Sequence, residues 1–236
     1  MNEEKKPNYI SNRGYALIKT NYSTSELNKI RKELTVKPFV NKNFTQESNP
    51  FPVYLESKKK LFLPKHYGIK MYGLPKTDKS FNGKDINIKF PNDLRPNQKP
   101  VAKKFLEIAN ETGGGIISVP CGFGKTVLAL YLLSQLKKKT IVIVHKEFLM
   151  DQWLERIQFF LPDAKIGKIQ GSKVNIKDKD IVLGMLQSIS QREYPDETFE
   201  DFGFVIYDEC HHLGAEVFSK SLLKVGCKYT LGLSAT

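Results

Sequence analysis

The sequence predicts an α/β fold: a parallel sheet wrapped by helices, preceded by a small basic region that is α+β or β-rich. Three observations carry this. From residue 92 onward short apolar runs alternate with helical patterns, the signature of a parallel sheet with crossover helices. A glycine-rich turn stands between one such run and the next helical pattern. Upstream, the texture is different: short apolar runs separated by turn residues, under a strong positive charge.

The elements follow in order. Residues 1–12 are polar and without periodicity, so a disordered leader is expected. Residues 13–91 read as a small basic accessory domain. A strand-like run covers Tyr15–Ile18. Ser23-Thr24-Ser25-Glu26 then precedes Leu27, Ile30 and Leu34, a helix start followed by an apolar stripe. Val53–Leu55, Leu61–Leu63 and Ile86–Phe90 read as further strands. The texture changes near Phe90-Pro91-Asn92-Asp93. Beyond it, helices are expected over Gln98–Asn110, Lys125–Leu136 and Glu147–Phe160. Strands are expected over Ile116–Val119, Ile141–Val144, Ile181–Leu183, Phe204–Tyr207 and Tyr229–Leu233. Right-handed crossovers follow from strand twist.

Composition narrows the function classes. The 236 residues are 40% hydrophobic and 26% charged, which is globular and excludes low-complexity or wholly disordered chains. No apolar run approaches the roughly 20 residues needed to span a bilayer, and the N-terminus lacks the apolar core of a signal peptide. Cys121, Cys210 and Cys227 form no paired framework, so an intracellular, reducing compartment, cytoplasm or nucleus, is expected. The net charge of +12 is uneven: residues 1–91 hold 18 Lys and Arg against 8 Asp and Glu, and residues 92–236 hold 19 against 17. A basic segment joined to a near-neutral one suits a polyanion partner, the alternative being a solvated lysine-rich surface.

Two motifs carry chemistry. Ser118-Val119-Pro120-Cys121-Gly122-Phe123-Gly124-Lys125-Thr126 follows an expected strand and opens an expected helix, the setting of a phosphate-binding loop. Gly122 and Gly124 let backbone N–H groups turn toward an anion, and the helix start adds the positive end of its dipole. Lys125 would reach the β- and γ-phosphates, and Thr126 would place its hydroxyl on Mg²⁺. Val119 stands where the full pattern has glycine, so the match is to its GxGKT core. The second motif is Asp208-Glu209-Cys210-His211 at the end of Phe204–Tyr207. Asp208 would hold Mg²⁺ through water, and Glu209 would orient and deprotonate the attacking water. The competing readings are a glycine-rich turn with a solvated lysine and a solvated acidic strand end. Cys210-His211-His212 lacks the further ligands of a zinc site. Lys58-Lys59-Lys60 among Phe51, Tyr54, Phe62 and Tyr67 would suit nucleic acid, although the aromatics read more readily as core. Lys137-Lys138-Lys139 reads as a helix C-terminus.

Leu94-Arg95-Pro96-Asn97-Gln98, then PCGFGKT at 120–126, DECH at 208–211 and Leu233-Ser234-Ala235-Thr236 resemble, in that order, the motifs of superfamily 2 helicases and translocases. The subgroup is similar to the excision-repair helicase of the general transcription factor, phage recombination helicases and the transcript-release helicases of large DNA viruses. The resemblance implies that 92–236 is the first RecA-like helicase domain, a P-loop NTPase using ATP and Mg²⁺. It implies that Gln98, with Arg95 nearby, reads the adenine, and that Pro120, Cys121, Gly122, Phe123, Gly124, Lys125 and Thr126 hold the nucleotide. His211 and Ser234, Ala235 and Thr236 would couple nucleotide state to the nucleic-acid site. His145, Lys146, Gly171, Gln187 and Ser188 would contact the strand, with an ordinary helix start as the rival reading of Gln187-Ser188. The implied partners are nucleic acid (DNA ahead of RNA), a second RecA-like domain and the transcription machinery. A viral source would add a cytoplasmic replication site or the virion as location. With the motifs ending at Thr236, the chain alone is expected to bind nucleotide weakly and turn it over poorly. The rival functions are a restriction-type DNA translocase subunit and a nucleotide-dependent nucleic-acid-binding module without motor activity.

Overall fold

Among the described residues, fourteen short strands and seven α-helices are organised by a five-stranded sheet, a seven-stranded sheet and a separate two-stranded pair. The computed structural model describes residues 7–37, 49–212 and 215–235. The chain divides into two units: Met1–Ser80 with Gly214–Gly226, and Phe81–Leu213 with Cys227–Thr236.

The first unit is built on a five-stranded sheet. Its strands are β1 (Tyr9–Ser11), β2 (Gly14–Ile18), β5 (Leu55–Glu56), β6 (Lys60–Leu63) and β7 (Asp78–Lys79), in the order β5-β6-β2-β1-β7. All pairings are antiparallel except β1 with β7. Residues 9–11 thus belong to a sheet, although the leader reads as unstructured through residue 12; Ile10 supplies an apolar anchor that is 2% exposed. A separate pair joins β3 (Thr35–Val36) to β4 (Phe51–Pro52). Helix α1 (Thr24–Glu33) starts at the expected Ser23, whose hydroxyl accepts from the Glu26 N–H while Glu26 accepts from the Ser23 N–H. Helix α2 (Lys65–Tyr72) presents Gly68 to the ring of Tyr15, so closely that a Cβ there would collide with it. The core gathers Ile10, Tyr15, Leu17, Leu27, Ile30, Leu34, Leu61 and Leu63, with Tyr54 and Tyr67 packed against it. Phe51 and Phe62 are buried as well. The aromatics around Lys58–Lys60 therefore form core, while Lys58 and Lys59 are exposed.

The second unit holds a seven-stranded sheet. In chain order its elements are α3 (Lys99–Thr112), β8 (Gly114–Ser118), α4 (Lys125–Leu136), β9 (Thr140–Val144), α5 (Glu147–Phe160), β10 (Ile166–Gln170), β11 (Lys173–Asn175), β12 (Ile181–Met185), α6 (Leu186–Gln191), β13 (Phe204–Tyr207) and β14 (Tyr229–Ser234). Helix α7 (Ala215–Val225) lies between β13 and β14 in sequence but belongs to the first unit. The strand order is β11-β10-β12-β9-β13-β14-β8, parallel throughout except for β11. Strand β9, central in that order, is buried along its whole length, as its unbroken Thr-Ile-Val-Ile-Val run requires. Helix α4 buries Leu128, Ala129, Leu130, Leu132 and Leu133, too many for a one-sided stripe, which marks an interior helix.

Three departures from the sequence reading have physical causes. Ile86–Phe90 forms no strand; it runs as irregular backbone, with Ile86 and Ile88 buried in the second unit's core. The residues between Phe81, where that unit begins, and the change of texture near Phe90 therefore contribute to its packing. Strands β10 and β11 escape sequence inspection because β10 interleaves Gly167 and Lys168 with its apolar residues and β11 is exposed. In the lysine run, Lys137 ends α4 with φ 53°, whereas Lys139 is 4% exposed. Its ammonium donates to the Ile176 carbonyl (2.7 Å) and lies 3.6 Å from Asp201. Burial pushes its pKa down against the opposing pull of Asp201.

Candidate functional site

Parallel pairing brings the carboxyl ends of six strands to one edge. Ser118 of β8 is in register with Ser234 of β14, Tyr207 of β13 with Gly232 of β14 and Ile143 of β9, and Met185 of β12 with Val144 of β9. Each expected site residue beyond Gln98 follows one of these ends or lies on it. Ligands of open α/β sheets bind at this edge.

The loop between β8 and α4 turns through Gly122 (φ 78°) and Gly124 (φ 89°), both in the left-handed region that disfavours a side chain. At Gly122 a Cβ would meet nothing within 4 Å, so the cradle is open on that side. At Gly124 it would press on the Gln98 amide at 2.6 Å. Gln98 is buried behind the loop and tied to it: its Nε2 donates to the Phe123 carbonyl at 2.9 Å, and its Oε1 accepts from the Arg95 N–H at 3.0 Å. The Arg95 guanidinium reaches the Gly122 carbonyl at 3.4 Å. Pro120 and Phe123 close the turn through a backbone hydrogen bond, and Cys121 is exposed. Lys125 and Thr126 open α4, where unpaired N–H groups and the dipole favour an anion.

The acidic pair faces this loop. Lys125 Nζ lies 3.8 Å from Glu209 Oε1. Glu209 holds φ 48°, an uncommon value for a residue with a Cβ, and the bend turns the chain sharply at the strand end. Asp208 is 7% exposed. Its Oδ2 accepts from the Trp153 indole N–H at 2.7 Å and its Oδ1 from the Glu209 N–H at 3.0 Å. Burial, reinforced by the Glu209 charge, raises its pKa, and the Trp153 hydrogen bond works in the other direction. Burial likewise pushes the Cys210 thiol up.

A chain of contacts continues from Glu209. Its Oε2 lies 3.5 Å from His211 Nδ1, and that nitrogen is 3.0 Å from the Ser234 hydroxyl at the end of β14. The Ser234 carbonyl accepts from the Val119 N–H, returning to the loop. Lys125, Glu209, His211 and Ser234 thus form one connected set. Ala235 follows directly, and Thr236 lies outside the described residues.

The remaining five expected residues cluster at the ends of β9, β10 and β12. Gln187 donates to the His145 carbonyl at 3.2 Å, and the Gly171 N–H donates to the Ser188 hydroxyl at 2.8 Å. Gly171 is in the turn of the β10–β11 hairpin, and Gln187 and Ser188 lie in the first turn of α6. The Lys146 ammonium lies 5.7 Å from the centre of the Phe148 ring, an exposed aromatic that sequence inspection passes over. Trp153 is the other residue missed. Its spacing from Met150 and Ile157 reads as core, and only the fold shows its N–H on Asp208.

The donor set suits a magnesium-bound triphosphate. Asp208 and the Thr126 hydroxyl are hard oxygen donors of the kind Mg²⁺ prefers, while the open glycine turn and Lys125 have N–H groups and charge suited to phosphate oxygens. Among the described residues no cluster of three His, Cys, Asp or Glu could hold a metal by itself, no disulfide forms, and no helix is long and apolar enough to cross a membrane.

Residues 92–236 match the family described as type III restriction enzyme, res subunit. A mimivirus protein, "Putative ATP-dependent RNA helicase L396", is 37% identical over 231 residues, covering 96% of this chain and 44% of that protein. "Putative helicase 161L" of Invertebrate iridescent virus 6 is 35% identical over 155 residues, covering 64% of this chain and 35% of that protein. The chain spans less than half the length of these curated relatives. Among solved structures, the UvsW helicase of bacteriophage T4 aligns with a TM-score of 0.59 at 19% identity, covering 91% of this chain and 86% of that one. The Sulfolobus solfataricus SWI2/SNF2 ATPase core in complex with dsDNA aligns at 0.52 and 18% identity, covering 66% of this chain and 34% of that one. Both likenesses concern the fold.

Proposed function

Because residues 92–236 match it, the chain belongs to the family of the type III restriction enzyme res subunit, a superfamily 2 helicase domain, and from that premise we propose that it is the ATP-binding part of a nucleic-acid helicase or translocase. The observation that carries this reading is the approach of Lys125 to Glu209 across the gap between the β8–α4 turn and the end of β13. A lysine and a carboxylate 3.8 Å apart can both address one terminal phosphate, one through charge and one through the attacking water.

In this reading the turn from Pro120 to Thr126 holds the phosphates, with Lys125 on the β- and γ-oxygens. Thr126 and Asp208 would hold Mg²⁺, whose charge would offset that developing on the transferred phosphoryl group. Glu209 takes the proton of the attacking water. Gln98 braces the turn from behind, while the exposed Arg95 lines the approach for the base. The chain of Glu209, His211 and Ser234 carries nucleotide state toward the strand-contacting cluster of His145, Lys146, Gly171, Gln187 and Ser188. Residues 92–236 act as the first RecA-like domain, and the basic accessory region of residues 13–91 adds nucleic-acid contact. A second RecA-like domain supplies the closing groups; an arginine finger contributes on the order of 10³–10⁵ in rate.

The deciding experiment is strand displacement and ATP hydrolysis by the complete gene product on DNA, RNA and hybrid duplexes, beside Lys125→Ala. Nucleic-acid-stimulated hydrolysis abolished by the substitution supports the reading. Hydrolysis indifferent to Lys125 overturns it, and nucleotide binding without turnover in the complete protein overturns it in favour of a sensor. The family description favours one rival, a restriction-type DNA translocase subunit; translocation on duplex DNA without displacement, together with DNA cleavage, selects it.

A further inference from the structure

Trp153 is the only tryptophan of the chain, and its indole N–H is spent on Asp208. The two residues are 55 positions apart and both are buried. On the α5 face, Met150, Trp153 and Ile157 are spaced for core packing, which a phenylalanine or leucine would serve equally well. What neither could supply is a donor at the bottom of the carboxylate. The other oxygen of Asp208 accepts from the Glu209 N–H, so each oxygen has one donor and the carboxylate plane is fixed. A carboxylate oxygen offers two lone pairs, which leaves each one further acceptor site.

We propose that Trp153 is the positioning residue of the metal site: from within the core it locks the Asp208 carboxylate in the rotation that turns its remaining lone pairs toward Thr126 and the phosphate loop. The inference rests on the reading of Asp208 as the magnesium-holding carboxylate and adds what holds that ligand in place. An indole N–H donates and has no acceptor, so it can only stabilise an oxygen acceptor. Outer groups of this kind orient metal ligands, and their loss typically costs on the order of 10–100-fold in metal affinity.

The test titrates MgCl₂ against a fixed concentration of a fluorescent ATP analogue in the wild-type chain, Trp153→Phe and Lys125→Ala. Trp153→Phe keeps an aromatic ring in the core and removes the donor. Its midpoint for Mg²⁺ is expected to rise roughly tenfold, while nucleotide binding in EDTA and the melting temperature stay close to wild type. A merely structural tryptophan would move the melting temperature and leave the Mg²⁺ midpoint in place, and that result overturns the proposal. Lys125→Ala separates the two levels: if it binds Mg·nucleotide as the wild type does, the phosphate-site reading fails and the inference with it. Should Trp153→Phe not fold, the wild-type chain still decides. Its sole tryptophan reports on Asp208 directly, so Mn²⁺ with nucleotide must quench its emission, and unchanged emission overturns the proposal.

Discussion

At the scale of single residues, the site depends on a few side chains whose roles can be separated. Glu209 approaches Lys125, and under the proposed reading it acts on the attacking water rather than on the phosphates, so Glu209→Gln should retain nucleotide binding while lowering hydrolysis by about 10²–10⁴-fold. Equilibrium nucleotide binding and steady-state phosphate release, measured on the same complete protein, check this. Away from the site, Glu56 accepts two hydrogen bonds from Arg31, pairs with Lys19, and has its pKa held down to about 2. A depressed carboxylate stabilises the fold above its unfolded pKa, and that contribution fades as the pH falls toward the folded value. Glu56→Gln should therefore cost about 1 kcal/mol or less at neutral pH, since the pair is partly exposed. Its deficit should disappear between about pH 4.5 and pH 2, which denaturant unfolding at a series of pH values reads. Lys125, Asp208 and Glu209 are legible in the sequence because their motifs are short and local. Trp153 is not, because nothing in a helix with buried residues at positions 150, 153 and 157 tells which of them also donates a hydrogen bond.

At the scale of elements, the well-read segments are those in which one physical signal dominates. Helices α4 and α5 and strand β13 begin and end where their patterns say, bounded by a glycine turn, a proline and an acidic strand end. The capping box of α1 is equally plain. Strands β10 and β11 and helix α6 are short and mixed in polarity, and neighbours define them more than their own residues do. The β8–α4 turn offers the sharpest prediction at this level. Gly124 combines a φ of 89° with a Gln98 amide at 2.6 Å from any added Cβ. Gly124→Ala should strain the turn, displace Gln98 and weaken nucleotide binding by about tenfold or more, with the melting temperature of the core changing little. Calorimetry of binding and of unfolding on one preparation separates the two effects.

At the scale of the whole molecule, charge is distributed by region rather than by motif. Residues 1–91 hold nearly all of the net positive charge, and Lys58 and Lys59 of that region are exposed rather than buried with their aromatic neighbours. If these lysines contact phosphates, nucleic-acid affinity should fall steeply with salt, and Lys58→Glu with Lys59→Glu should flatten the log–log slope by about 1 for each phosphate no longer neutralised. Filter binding across a salt series measures it; an unchanged slope assigns the charge to solubility. Charge reversal is preferable to deletion, because α7, late in the chain, belongs to the first unit and would lose its partners. The parallel α/β sheet, the glycine turn before α4 and the acidic strand end were all readable from the order of residues, because each is written in consecutive positions whose periodicity or backbone demand is local. The folded arrangement was needed to learn that Glu209 faces Lys125, that Trp153 holds Asp208, and that Ile86 and Ile88 pack into the second unit's core. Those facts depend on which strands become neighbours and in what register, and neighbours in space are chosen by the packing of the entire chain.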